Sequence, residues 1–313
     1  MLPLLLSASL AVSTPLHVGE WNVYWKALDD PAGRTAITYA IDSNPHAYDF
    51  FTVVEASGDT PGGAFPDWTR ASKHLSNMEP IATVSQHETL ALFFDATKWT
   101  LTYNSSGYFD PGRPWLLAHF AAAGSGASLW VVSVHLPHFL DTKTAPGSIL
   151  AAALHAASAA TGLPMTNVIA AGDWNEFEWE DNPCRRPFYP QDCRAQAKAR
   201  MAGLWDDFLR GDARDLAINH TISCCTKWAP SDRHTTPYHE WSFEYDHVFA
   251  ASSIRLPPPG VVANPVALIP YVYPGTAAPC ADPACMGEDP PQNVTATSQG
   301  SWHRGWSLVL EME

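Results

Sequence analysis

The apolar run Val168-Ile169-Ala170-Ala171 ends in Gly172-Asp173-Trp174-Asn175-Glu176. Such a run reads as a buried strand, and strand alternation puts Asp173 and Asn175, two positions apart, on one side. An acid and an amide so placed can grip a water or a phosphate oxygen. Asp and Asn also cap helices and shape turns at strand ends, so the pair alone decides nothing. Other strand ends carry matching residues: Asn22 in Glu20-Trp21-Asn22-Val23-Tyr24, Glu55 after Phe51-Thr52-Val53-Val54, His135 after Trp130-Val131-Val132-Ser133-Val134, and Asp246 in Phe243-Glu244-Tyr245-Asp246-His247-Val248-Phe249. His303 precedes the last strand. Turns do not account for the ordered series Asn, Glu, His, Asp-x-Asn, Asp, His.

The elements that must position these residues alternate between strand-like and helix-like runs with no internal repeat, which points to an α/β class. Strands are predicted at Leu16 to Tyr24, Phe50 to Glu55, Thr89 to Asp95, Thr100 to Tyr103, Trp115 to Ala121, Leu129 to His135, Val168 to Asp173, Ser242 to Ala250 and Trp306 to Glu311. Helices are predicted at about Ala32 to Asn44, Gly147 to Gly162 and Arg194 to Asp207. The second is Ala-rich and closes on Gly162 ahead of Pro164, a C-cap signature. Ten prolines between Pro257 and Pro291 rule out a central strand there and predict a long ordered loop.

A 313-residue chain with 46% hydrophobic residues can bury a sizeable core. No linker divides it, so one domain is expected over 15–313, with the Pro-rich loop at 256–300. The net charge of −14 argues against tight binding to a polyanion, since nucleic-acid affinity rests mainly on cationic contacts to phosphate. Turnover of a polyanion stays open, because a metal ion can supply the positive charge.

Residues 2–12 are apolar, too short to span a bilayer and followed by Ser13-Thr14-Pro15. They read as a cleaved secretory leader over 1–14, lacking a basic start, with a buried N-terminal strand as the rival reading. Six cysteines and three sequons, at Asn104, Asn219 and Asn293, fit a secreted protein without stable membrane insertion after cleavage. Cys280 and Cys285 can close a local ring, and Cys184, Cys193, Cys224 and Cys225 can pair among themselves, in a connectivity that spacing leaves open. A zinc site is the rival, but no cysteine pair has zinc-knuckle spacing, and His220 and His234 fit no ligand register.

The ordered motifs resemble the endonuclease/exonuclease/phosphatase superfamily, and within it the DNase I-like branch, collinearly from Trp21 to about Glu311. Gly-Asp-x-Asn and Tyr-Asp-His-Val sit where that family has signature strands. Glu88, six residues before Phe94, is similar to the family glutamate that orients the first catalytic histidine, and Gly112-Arg113-Pro114-Trp115 to its Arg-containing strand entry, where the Arg faces substrate phosphate. The resemblance implies a four-layer α/β sandwich, two mixed β-sheets face to face with helices outside. It also implies hydrolysis of a phosphoester by water, which needs charge neutralisation, a deprotonated water and a protonated leaving group.

Glu55, helped by Asn22, would hold a divalent metal, Mg²⁺ first, with Mn²⁺ or Ca²⁺ as alternatives. His135 and His303 would act as acid and base, oriented by Glu88 and Asp246 respectively. Asp173 would hold or activate the water, and Asn175 and Arg113 would bind phosphate oxygens.

One departure stands out. The family's last motif, Ser-Asp-His, reads Ser301-Trp302-His303, and Trp cannot ligate a hard cation. Either the metal position using that Asp is weakened, or the register differs and the loop supplies Asp282, Glu288 or Asp289, or the domain is an impaired binding module. His138 and His247 read as loop and core residues, and most of the 13 Trp as core, with one or two near the cleft.

The favoured expectation is therefore a secreted, monomeric, metal-dependent nuclease or phosphodiesterase. Its substrate would be nucleic acid or a small phosphate ester. Gln86, where a groove-contacting Tyr is expected, and the acidic charge favour the alternative, a phosphomonoesterase or small phosphodiester hydrolase on lipid, sugar or nucleotide phosphates.

Overall fold

The computed structural model describes residues 15–23, 28, 31–56, 68–85, 88–109, 112–137, 145–175, 214–215, 246–263, 265–269 and 305–312. Outside these lie residues 1–14, all six cysteines, Asn219, Asn293, the helix expected at 194–207, most of the Pro-rich loop with Asp282, Glu288 and Asp289, His138, Trp302 and His303.

Strands β1 (Leu16–Asn22), β2 (Phe50–Val54), β3 (Glu79–Val84) and β4 (Thr89–Phe94) belong to one sheet. Strands β5 (Trp99–Tyr108), β6 (Pro114–Ala122), β7 (Ser128–His135), β8 (Val168–Asp173), β9 (Arg214–Asp215) and β10 (Asp246–Ala250) form a second, and β11 (Ile254–Arg255), β12 (Val266–Leu268) and β13 (Trp306–Met312) return to the first. The first sheet runs β11-β13-β1-β2-β4-β3, with β12 also on β13, and the second β5-β6-β7-β8-β10-β9. Each is mixed around one parallel pair, β1 with β2 and β7 with β8. A helix links each pair, α1 (Pro31–Asp42) and α2 (Pro146–Thr161), as parallel neighbours require a crossover.

Alternation sorts the side chains into layers. One row of faces, Leu16 and Val18 of β1, Leu129 and Val131 of β7, Ile169 and Ala171 of β8, Val248 and Ala250 of β10, and Leu308 and Leu310 of β13, forms the core between the sheets. The opposite face of the first sheet packs Trp21, Phe51, Val53 and Phe93 on Ile37, Ala40 and Ile41 of α1. That of the second packs Trp130, Val132 and Ala170 on Leu150, Leu154 and Ala157 of α2. The expected α/β sandwich is thus observed, with a helix outside each sheet.

Both helices open on proline, where its missing N–H costs nothing, and α2 closes on Gly162 at φ 70 as expected. β3 escapes sequence reading because Glu79-Pro80 looks like a strand breaker, yet β3 pairs only with β4 and proline is tolerated at an edge. β5 runs past the expected Tyr103 to Tyr108: Asn104-Ser105-Ser106-Gly107 reads as a turn, but it is an edge strand whose Asn104 and Ser106 point to solvent. Within the Pro-rich stretch Val266–Leu268 does pair, on β13. No helix among the described residues is long and apolar enough to cross a membrane.

Candidate active site

Four of the singled-out residues end or directly follow the parallel strands: Asn22 ends β1, Glu55 follows β2, His135 ends β7 and Asp173 ends β8. Their antiparallel neighbours run the other way, so they bring their beginnings to the same rim. Asp246 opens β10 opposite Asp173, Glu88 stands just before β4, and Arg113 just before β6. β13 also starts at this rim, with Trp306 opposite Glu20. The inter-sheet faces that are apolar lower down become polar here, through a buried rung in which the Thr52 and Ser133 hydroxyls meet at 2.8 Å.

His135 is buried, and its Nδ1 donates to Glu88 Oε2 at 2.5 Å. Arg113 Nη1 donates to the same oxygen at 3.0 Å and so lies 2.9 Å from Nδ1. A protonated Nδ1 has no lone pair left to accept, so this last approach is a contact made through the shared carboxylate. Nε2 then faces the remaining acids, Asp173 Oδ2 at 3.4 Å and Glu55 Oε1 at 4.0 Å. Burial opposes ionisation of Glu88, but His135 and then Arg113 outweigh it and hold the carboxyl below its usual range. The guanidinium gains in turn: burial works against it, while Glu88, Glu55 and Asp173 raise its pKa.

Asn22 joins the two sheets. Its Nδ2 donates to Asp173 Oδ2 at 2.8 Å and approaches Glu55 Oε1 at 3.4 Å. Asp173 Oδ1 accepts from the backbone N–H of Asn175 at 2.9 Å, and Asn175 Nδ2 donates to the Leu136 carbonyl at 2.7 Å. The segments after β7 and β8 are thereby tied together behind the His135 ring. An amide nitrogen carries a second N–H, so Asn175 keeps donor capacity for a phosphate oxygen.

Glu55 at φ 55 and Asn175 at φ 45 are the non-glycine residues with positive φ among the described residues. Backbone held in this sparsely populated region concentrates at functional sites, and both fall on residues singled out from sequence. Gly172 explains the turn of Asp173 into the site. Its φ is 142, and a Cβ there would collide with the Val134 carbonyl oxygen on β7.

His247 points to the opposite face of β10 as alternation predicts, its ring stacked on Phe249 at 5.2 Å. Trp21 and Trp174 are core residues, and the indole of Trp174 donates to the His247 carbonyl. Sequence reading passes over Glu20. It lies two residues before Asn22 on the same face of β1, and the alternation that picks out Asp173 and Asn175 would have found it. Glu20 is fully buried and its carboxyl faces those of Asp246 and Asp173. Burial first, then those two neighbours, pushes its carboxyl well above the usual carboxylate range.

Ligand atoms of Glu55, Glu88 and His135 lie within 4.8 Å of one another, close enough to hold a metal ion. Glu88 Oε2 and His135 Nδ1 are committed to each other, however, and a cation between them would break the dyad. Glu55 is the better hard-oxygen position: its carboxylate is 12% exposed, against 3% for Glu88 and 2% for Asp173, and carboxylate oxygens suit Mg²⁺, Mn²⁺ or Ca²⁺. Asn22, expected to help hold the metal, turns its Nδ2 rather than its oxygen toward Glu55.

No protein-family model matches the chain, and no curated protein matches it. Solved structures do match. An endonuclease/exonuclease/phosphatase family protein from Bacteroides thetaiotaomicron superposes at a TM-score of 0.56 with 13% identity, covering 96% of this chain and 99% of the other. A mannosyl-6-phosphatase from the same species gives 0.55 at 14% identity, covering 94% and 99%. D. rerio TDP2, complexed with a single-strand DNA product, gives 0.50 at 15% identity, covering 96% and 100%. At such identities the likeness is one of fold, and it bears out the architecture that the motifs implied.

Proposed function

We propose that this chain is a divalent-metal-dependent phosphoester hydrolase that attacks phosphorus with water and forms no covalent intermediate. The observation that carries this reading is the His135–Glu88 pair, its Nε2 turned toward Asp173 and Glu55. A dyad of this kind fixes one imidazole nitrogen as donor and leaves the other to exchange a proton.

A cation held by Glu55 would offset the charge of the phosphoester and favour the ionised form of a nearby water. Asp173, already fixed by Asn22 and by the Asn175 N–H, orients the attacking water, whose proton passes to the histidine that acts as base. His135 exchanges a proton at Nε2 on one side of the phosphorus. We assign the same exchange on the other side to His303 with Asp246, one histidine acting as base and the other as acid to the leaving oxygen. Asn175 and the outer edge of Arg113, 35% exposed, bind the non-bridging oxygens.

Within this reaction class we favour a secreted phosphodiesterase or nuclease, supported by Glu88 and Arg113. The net charge of −14 supports a second reading, a hydrolase of small phosphomonoesters or phosphodiesters. Purified protein incubated with plasmid DNA, a chromogenic phosphodiester and a chromogenic phosphomonoester, with Mg²⁺, Ca²⁺ or chelator, separates them. Chelator-sensitive nicking supports the first, and phosphate release without DNA cleavage the second. Inactivity on all three with every metal would sink the enzymatic reading.

A further inference from the structure

Tyr108 closes β5 at the rim that holds His135 and Glu88, and the proposed reaction gives it no task. Its ring is 52% exposed, whereas the described tryptophans are all buried. Tyr39, the other exposed tyrosine among the described residues, sits in the last turn of α1, toward the opposite end of the sandwich where β2 begins.

The exposed ring is held in place. Its hydroxyl donates to the Val84 carbonyl at 2.9 Å, from the edge strand of one sheet to the edge strand of the other. The adjoining backbone is fixed as well: Tyr108 pairs with Pro114, and the Phe109 N–H donates to the Arg113 carbonyl at 2.8 Å. An aromatic side chain braced in this way has given up its freedom before a ligand arrives, so a group that packs on it costs little further ordering.

Two short paths join the ring to the phosphate site. Arg113, whose carbonyl takes the Phe109 N–H, reaches Glu88 Oε2 at 3.0 Å. Val84 is followed by Ser85, whose N–H donates to the Glu88 carbonyl at 2.8 Å. Charge at this rim offers little to a second anion, because Arg113 is already paired with Glu88 and Glu55, at 3.0 and 3.8 Å. Affinity beyond one phosphate must then come from an uncharged contact, and an open aromatic face supplies it to any nucleobase, since every base has a π-face. A sugar would call for hydrogen-bonding side chains around the ring. Val84 across the sheets and Pro114 across the ladder carry none, and Ser106, on the same face of β5, lies back from the rim.

We propose that Tyr108 is the platform on which a nucleobase of the substrate stacks, beside the phosphate that the proposed reaction gives to Arg113 and Asn175. The inference rests on the phosphoester reading and narrows its substrate class to nucleotide esters, with Tyr108 as a specificity-determining residue.

The test measures dissociation constants by ligand-observed NMR, with Mg²⁺ present, for a thymidine dinucleotide whose phosphorothioate linkage slows cleavage, for the same linkage between two abasic deoxyriboses, and for inorganic phosphate. Unaltered protein is expected to bind the dinucleotide ~5- to 150-fold more tightly than its abasic counterpart, the range that base–aromatic stacking gives on alanine substitution. Tyr108→Leu should lose that margin while binding inorganic phosphate as the unaltered protein does. Tyr108→Phe, which keeps the ring, should retain most of it. Equal binding of the two linkages by unaltered protein overturns the platform and leaves the phosphoester reading standing, and so does a margin that survives Tyr108→Leu. Failure to bind any of the three probes overturns both. Should Tyr108→Leu misfold by circular dichroism, nuclear Overhauser contacts between the base and the Tyr108 ring of the unaltered protein decide, their absence counting against the platform.

Discussion

Asn22 on β1 and Asp173 on β8 stand 151 positions apart in sequence, yet Asn22 Nδ2 donates to Asp173 Oδ2 at 2.8 Å across the gap between the sheets. A hydrogen bond to a charged group contributes about 1.5–3 kcal/mol. Asn22→Ala is expected to lower unfolding stability by an amount in that range and to reduce turnover as well, since Asp173 loses the donor that orients it. Urea denaturation alongside steady-state kinetics checks both. A variant as stable as the parent would mean that the bond has no energetic weight.

The Glu88–His135 pair yields the sharpest kinetic expectation. His135→Ala should cut whichever phosphoester activity is found by ~10²- to 10⁴-fold, the usual contribution of a proton-transfer catalyst. Glu88→Gln keeps the shape of the dyad but removes the carboxylate charge that holds the Nδ1–H of His135. Its kcat should fall by at least ~10²-fold with KM nearly unchanged. Undiminished turnover in His135→Ala would dispose of the mechanism.

Acid should weaken the fold through Glu88. Its folded-state pKa lies below the ordinary value of 4.5, because His135 and Arg113 outweigh burial. The unfolded chain therefore binds the proton more readily. The stability linked to Glu88 is fully present above 4.5 and drains away as pH falls through the depressed folded value. Denaturation midpoints from about pH 7 down to about pH 3 should show this loss in the parent and a shallower one in Glu88→Gln. Identical slopes would mean that Glu88 is not ionised in the folded protein.

Much of this is legible in the residues because strand ends advertise themselves. Apolar runs closed by Asn22, Glu55, His135 and Asp173 mark both the element and the rim, and Gly162 with Pro164 marks the end of α2. The rest depends on tertiary context. β3 hides behind Glu79-Pro80 because proline is acceptable only at an edge, and which strand is an edge is settled by pairing. Glu20 escapes notice because Trp21-Asn22 draws attention to the strand's end, and a carboxyl inside a strand reads as solvent-facing until the opposing sheet covers it. Arg113 reads from its motif as a phosphate ligand alone. Its bond to Glu88 depends on β4 and β6 both starting at this rim, which no local pattern encodes.

Two substitutions probe the metal position from opposite sides. Glu55→Gln should weaken divalent-ion binding by at least ~10- to 100-fold and make activity correspondingly more sensitive to chelator. Trp302→Asp adds a hard oxygen beside His303 and should raise affinity for Mg²⁺ or Mn²⁺. Calorimetric titration reads both. Unchanged binding in Trp302→Asp would show that residues 301–303 do not reach the site.

Gly172 allows a last expectation, in which conformation and crowding can be separated. At Gly162, φ 70, an added Cβ would have nothing within 4 Å, so alanine there meets only backbone strain, worth about 1 kcal/mol. At Gly172, φ 142, a Cβ would also strike the Val134 carbonyl oxygen of the paired strand β7, and strain of about 1–3 kcal/mol combines with overpacking of similar size. Gly172→Ala should therefore lose roughly 3 kcal/mol or more. Because relief of the clash moves β8 away from β7, it should also pull Asp173 off His135 Nε2 and depress turnover beyond what the stability loss explains. Equal destabilisation by the two alanines in thermal unfolding would mean that β7 and β8 are not packed as closely as their register requires.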